Sequence, residues 1–146
     1  MIAALLKRLL EPAPAPLDDA DARLALTALL VRIARSDNNY AEVEKDRIDR
    51  ILGARYGLEA GEAILLREQA EALEAEAPDT VRFTRAIKEA VVFEDRIAVI
   101  EALWQVALAD GRRDAGEDAL LRLSSSLLGI SDVDSARARK RAEASL

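Results

Sequence analysis

The sequence predicts an all-α fold, and three observations carry that expectation. Apolar residues make up 51% of the 146 but aromatics only 3%, and the apolar set is mostly Ala and Leu, both strong helix formers. No run alternates apolar and polar residues with the period of a strand. A helix ending is written twice: Ala34-Arg35-Ser36-Asp37-Asn38 with Glu44 beyond it recurs as Ala107-Leu108-Ala109-Asp110-Gly111 with Glu117 beyond it. Asp21 to Asp37 aligns without a gap on Glu94 to Asp110, with Arg23/Arg96, Ala25/Ala98, Leu30/Leu103, Ala34/Ala107 and Asp37/Asp110 identical. After a one-residue loss from the second copy, Tyr56-Gly57-Leu58 matches Leu128-Gly129-Ile130. Self-similarity of this kind reveals architecture before any single residue does. It predicts two related helical halves, about 21–58 and 94–130, in one bundle of about seven to eight helices with an internal pseudo-twofold repeat. The chain is long enough for one domain with its own core.

Each element follows in order. Ile2 to Leu10 reads as a short helix with Ile2, Leu5, Leu6, Leu9 and Leu10 on one stripe, ended by Pro12, Pro14 and Pro16 in a stiff linker over residues 1–16. This segment can pack back on the bundle or on a neighbouring subunit in a homodimer. Its stripe with Lys7 and Arg8 also allows a weak membrane-surface contact. The helical domain proper spans 17–146. Asp18 or Asp19 can cap a long helix to about Ser36. Leu24, Leu26, Ala28, Leu29, Leu30, Val31 and Ile33 cover most of that helix's circumference, and the run from Ile97 to Leu108 is denser still. Helices apolar nearly all round are surrounded by protein, so these two form the predicted centre. Between them lie a helix over 42–55 with Val43, Ile48, Ile51 and Leu52 inward, and one over 59–76 with Ala63, Leu66, Ala70 and Leu73 inward. Pro78-Asp79 breaks the chain before a helix over 79–91 that uses Val81, Phe83, Ile87 and Val91. Helices over 115–128 and from about Asp132 complete the chain.

Composition removes several chemistries. There is no cysteine and no histidine, so disulfides, thiol chemistry and the commonest general base and transition-metal ligand are missing. Net charge is −6, carried by an acidic body between two basic ends (Lys7 and Arg8; Arg137, Arg139, Lys140 and Arg141). An acidic body repels nucleic acid and favours cations or basic partners. Lys7-Arg8 interrupts the apolar start that a signal peptide would need, and no run is long enough to span a membrane. The expected location is cytoplasmic. No histidine stands ready to activate Ser124, Ser125 or Ser126, and no glycine-rich phosphate loop occurs. The many acids would allow catalysis by paired carboxylates, but acids in such number usually form a solvated face. Trp104, the single tryptophan, reads as core.

The doubled turns carry the candidate chemistry. In Asp110-Gly111-Arg112-Arg113-Asp114-Ala115-Gly116-Glu117, Gly111 suits a left-handed helix stop, and Asp114 with Glu117 has capping-box spacing. Asp110 is not explained that way, because an acid at a helix C-terminus faces the negative end of the dipole. Asp110, Asp114 and Glu117 could converge on one hard cation, Ca²⁺ or Mg²⁺. Capping plus offset by Arg112 and Arg113 would account for the same residues. An EF-hand is ruled out: counted from Asp37 its obligatory Gly and Glu positions hold Glu42 and Ile48, and counted from Asp110 they hold Ala115 and Leu121.

The doubled helix–acidic turn–Glu pattern, strongest at Leu103-Trp104-Gln105-Val106-Ala107-Leu108-Ala109-Asp110-Gly111 with Glu117 and the Leu127-Leu128-Gly129-Ile130-Ser131 ending, resembles the tellurite-resistance TerB family over roughly residues 17–135. The resemblance implies a non-enzymatic TerB-like helical fold, acidic patches that hold divalent cations, and a role with protein partners in tellurite or chemical-stress systems at the inner membrane face. The ligands it implies are Asp110, Asp114 and Glu117, with Asp37 and Glu44 in the first half. The first half departs from the pattern, with Asn38 in place of Gly and Ala41 in place of the aspartate.

Overall fold

The computed structural model describes Leu6 and residues 19–36, 40–76, 80–109 and 115–145, side chains excepted at 19, 80, 82, 83, 86, 90 and 115–117. Seven helices make up the described residues, and no strand occurs among them. They are α1 (Asp19–Arg35), α2 (Glu42–Tyr56), α3 (Ala60–Glu76), α4 (Thr80–Ala90), α5 (Phe93–Ala107), α6 (Ala115–Leu127) and α7 (Asp132–Ala144). The expected helix over 2–10 and the proline linker lie outside the described residues. Leu6 alone is described there, half-buried against the core.

The core is built on α1 and α5, as the apolar density of both predicts. Every residue of α1 from Leu24 to Val31 is buried, together with Ile33 and Ala34. Leu30 and its repeat counterpart Leu103 are both fully enclosed. The denser run is nonetheless the less enclosed one. α1 touches α2, α3, α4, α5 and α6, whereas α5 leaves Ala98 exposed and presents Glu101 and Gln105 at its edge. The cause is α4, which packs on α1 and α6.

The halves share a pattern of neighbours. α1 makes its broadest contact with α3, and α5 makes its broadest with α7. Across the centre α2 meets α5, and α6 meets α1. The helix ends are closed alike. Gly57 and Gly129 adopt left-handed φ angles of 65° and 76°, which glycine reaches without a Cβ penalty. Leu58 N–H donates to the Gly53 carbonyl at 3.2 Å, and Ile130 N–H donates to the Ser125 carbonyl at 2.8 Å. The arginine shared by both copies braces each end: Arg23 lies over the Tyr56 ring at 4.6 Å, and Arg96 donates to the Leu128 carbonyl at 3.3 Å.

Two expected core positions face outward. Val43 is 41% exposed and Val81 47% exposed. On α2 the buried stripe is Glu44, Ile48, Ile51 and Leu52, which is the i, i+4, i+7, i+8 spacing of one face. Val43 is displaced because a glutamate holds the inward position. On α4, Thr84 and Ile87 take the buried face and Val81 does not.

Candidate cation site at the acidic turns

The first acidic turn enters α2 through Ala41, whose extended backbone forms the N-cap. Alanine has no side-chain acceptor, so half of a capping box is missing. Glu44 supplies the other half, its Oε1 accepting the Ala41 N–H at 3.2 Å. The carboxylate is only 1% exposed. A buried charge needs hydrogen-bonding partners to survive, and the open N–H groups and positive dipole end of a first turn are well suited to an acid.

Of the other expected ligands, Asp37, Asp110 and Asp114 lie outside the described residues. Glu117 is placed in the first turn of α6, as Glu44 is in α2, and its side chain is not described. Among the described residues no three carboxylates converge as a metal site would require.

Cations and ion pairs that the sequence reading missed stand beside the first turn. The Tyr40 ring is flanked by Arg35 at 5.1 Å and Lys45 at 5.0 Å. Arg35 also pairs with Glu74 of α3 at 3.0 Å, and Arg32 approaches the same carboxylate at 3.6 Å. Both arginines occupy the last turn of α1, where positive charge is favourable against the helix dipole. Deeper in, Arg67 of α3 donates to Asp49 of α2 at 2.7 Å and to Glu71 at 3.1 Å. Burial alone would lower the Arg67 pKa, but the Asp49 hydrogen bond and the charges of Asp49 and Glu71 outweigh it and raise it. The Tyr40 hydroxyl is buried near Glu71 and Arg67 without a hydrogen bond of normal geometry. Burial first, then Glu71, pushes that phenol above its ordinary pKa.

One signal for Glu44 was available in the sequence: it lies four and seven residues before Ile48 and Ile51, on the apolar stripe. The pairing of Arg35 with Glu74 and of Arg67 with Asp49 joins separate helices, and helical periodicity says nothing about such contacts.

A small all-α domain in which a buried glutamate anchors the start of α2 is the class that fold and site define together. A family model described as tellurite resistance protein TerB matches residues 23–140, and the chain belongs to the TerB family. No curated protein and no solved structure is significantly similar to it. Among the described residues no helix is long and apolar enough to cross a membrane.

Proposed function

We propose that this chain is a non-catalytic TerB-family module that binds a divalent cation, Ca²⁺ or Mg²⁺, at its acidic helix joints, within a tellurite or chemical-stress response assembly. The observation that supports this reading is Glu44, a buried carboxylate held at the turn that carries Asp37. In this proposal Asp110, Asp114 and Glu117 form the principal site, and Asp37 with Glu44 forms a weaker one that lacks the aspartate at position 41. Oxygen ligands on short turns suit a hard cation. The lack of histidine and cysteine speaks against a transition metal and against nucleophilic catalysis.

The test is calorimetric titration with Ca²⁺ and then Mg²⁺ of the wild type, Asp37→Asn and Asp110→Asn. Saturable heat that is lost in Asp110→Asn and largely kept in Asp37→Asn is the expected result. No heat and no rise in melting temperature at millimolar ion would reduce the acids to turn formers.

A second reading, a purely structural protein-interaction bundle with no metal site, is favoured by a specific feature. Between α2 and α3 runs a cleft of about 640 Å³ floored by Gly53, Leu58, Ala63 and Ile64. Ile64 and its neighbour Leu65 are 40% and 56% exposed. Apolar surface of this kind is suited to protein contact. Under this reading the ions bring no heat, and Leu65→Glu weakens partner association without lowering the melting temperature.

A further inference from the structure

The counterpart of that apolar cleft lies between α6 and α7, against α5, and its chemistry is different. Its volume is about 380 Å³, within the range of small-molecule sites. The positions correspond at one constant separation along the chain: Asp46, Arg50, Gly53, Ala60 and Ala63 of the first cleft become Asp118, Arg122, Ser125, Asp132 and Ser135 of the second. Three small apolar positions have thus become two hydroxyls and a carboxylate. Trp104 forms one wall, 9% exposed, with Arg139 over its ring at 5.3 Å.

The hydroxyls are buried, Ser125 at 2% exposure and Ser135 at 8%. The Trp104 Nε1–H donates to Ser135 Oγ at 3.2 Å, and the two serine oxygens lie 3.3 Å apart. Each hydroxyl has one proton. One serine donates to the other, and whichever way that bond runs, a serine proton is left without an acceptor among the described residues. A buried donor left over is unfavourable, and the cleft beside it is lined by guanidinium groups on one hand and carboxylates on the other.

We propose that the α6–α7 cleft binds a small zwitterion of the α-amino acid class. Its carboxylate accepts from Arg122 and from the spare serine proton, and its ammonium faces Asp132. Ligands with a single charge fit less well, because the lining carries both signs. The proposal does not rest on the cation proposed for the acidic turns.

Trp104 is the chain's only tryptophan, so its emission reports on the cleft directly. The experiment titrates the full chain with each common free α-amino acid at millimolar concentration, with acetate and methylammonium as single-charge probes. At least one amino acid should shift Trp104 emission saturably, more tightly than acetate or methylammonium. Arg122→Gln should weaken that binding by roughly tenfold or more, since a hydrogen bond to a charged group is lost. Asp132→Asn should weaken it as well. Arg50→Gln, at the matching position of the apolar cleft, should leave it unchanged. Both Arg122 and Asp132 are exposed, so these variants are expected to fold. A cleft that holds ordered water only would give no shift with any amino acid, and that result overturns the proposal. So does a shift that survives Arg122→Gln, or one that acetate reproduces at equal affinity.

Discussion

The α2–α3 and α6–α7 clefts are lined at matching positions, yet Ser125, Asp132 and Ser135 make the second more polar than Gly53, Ala60 and Ala63 make the first, and a further exchange changes how the helices beside each cleft are joined. In the first half Asp49 of α2 reaches across to Arg67 of α3 at 2.7 Å. Arg67 and Arg139 correspond, and each makes the same i,i+4 pair, with Glu71 and Glu143. The position corresponding to Asp49, however, is Leu121, fully buried. Without an aspartate to hold it, Arg139 turns over the ring of Trp104 instead. One helix pair is locked by an ion pair and leaves small apolar residues beside it. The other is packed by a leucine and leaves its polar groups facing the cleft. Both helix pairs form a cleft at matching positions, and a few side chains decide what lines it.

The strongest way to break this comparison is to remove the two arginines separately. Arg67 is only 12% exposed and holds two carboxylates of similar burial. Truncating it leaves those charges without their partner, a loss expected at about 2–4 kcal/mol, near the lower end for broken buried pairs. Arg139 and Glu143 are 31% and 48% exposed, so Arg139→Ala is expected to lose about 1 kcal/mol or less, mostly as lost packing over Trp104. Urea unfolding of both variants measures the difference. Equal losses would mean that the buried pair does not distinguish the halves.

The glycine turns should behave as equals, which makes them the control. Gly57 and Gly129 both have positive φ, and an added Cβ would meet nothing within 4 Å at Gly57 and only the Arg96 guanidinium at 3.9 Å at Gly129. The expected loss is therefore purely conformational, about 1 kcal/mol for each Gly→Ala change. Thermal melts of the two variants should superimpose. A loss confined to one turn would show that the two helix ends are not supported alike.

Much of the fold was legible because it depends on local pattern. Helix periodicity found α1 and α5 as the centre, and the doubled ending located Gly57 and Gly129. What escaped has identifiable causes. The evident match between the halves ends at 58 and 130, yet Arg67, Ala70 and Glu71 correspond to Arg139, Ala142 and Glu143 in α3 and α7. The surrounding residues there are surface charges of opposite sign (Glu68 against Lys140), and these hide the likeness. A hydrophobic pattern places Val43 inward because in it an apolar side chain outranks a glutamate. The first-turn amide that makes burial of Glu44 tolerable is a backbone feature. At the acidic turns the residue types were readable, and so was the place of Arg32 and Arg35 in the last turn of α1, whereas Glu74 meets them, and Arg67 reaches Tyr40, only through contacts between helices.

The smallest expected effect separates the halves by pH. Both tyrosines of the chain lie in the first half, Tyr40 beside the acidic turn and Tyr56 at the end of α2, where the second half has Leu128. Burial is the leading cause that raises both phenol pKa values, with Glu71 adding to it at Tyr40. A raised folded pKa means that the folded state keeps its proton when the unfolded chain has already lost it. The associated stability is thus intact below the unfolded value of about 10 and drains away as pH climbs toward the folded value. At neutral pH Tyr40→Phe should change stability by no more than about 1 kcal/mol, because the hydroxyl it removes makes no hydrogen bond. Between roughly pH 9 and roughly pH 11, on the unfolded tyrosine titration, it should lose melting temperature less steeply than the wild type. Amide exchange over that range should show α2 opening while α6 stays protected. Parallel melting curves for wild type and variant would mean that the buried phenol is not what makes the first half sensitive to alkali.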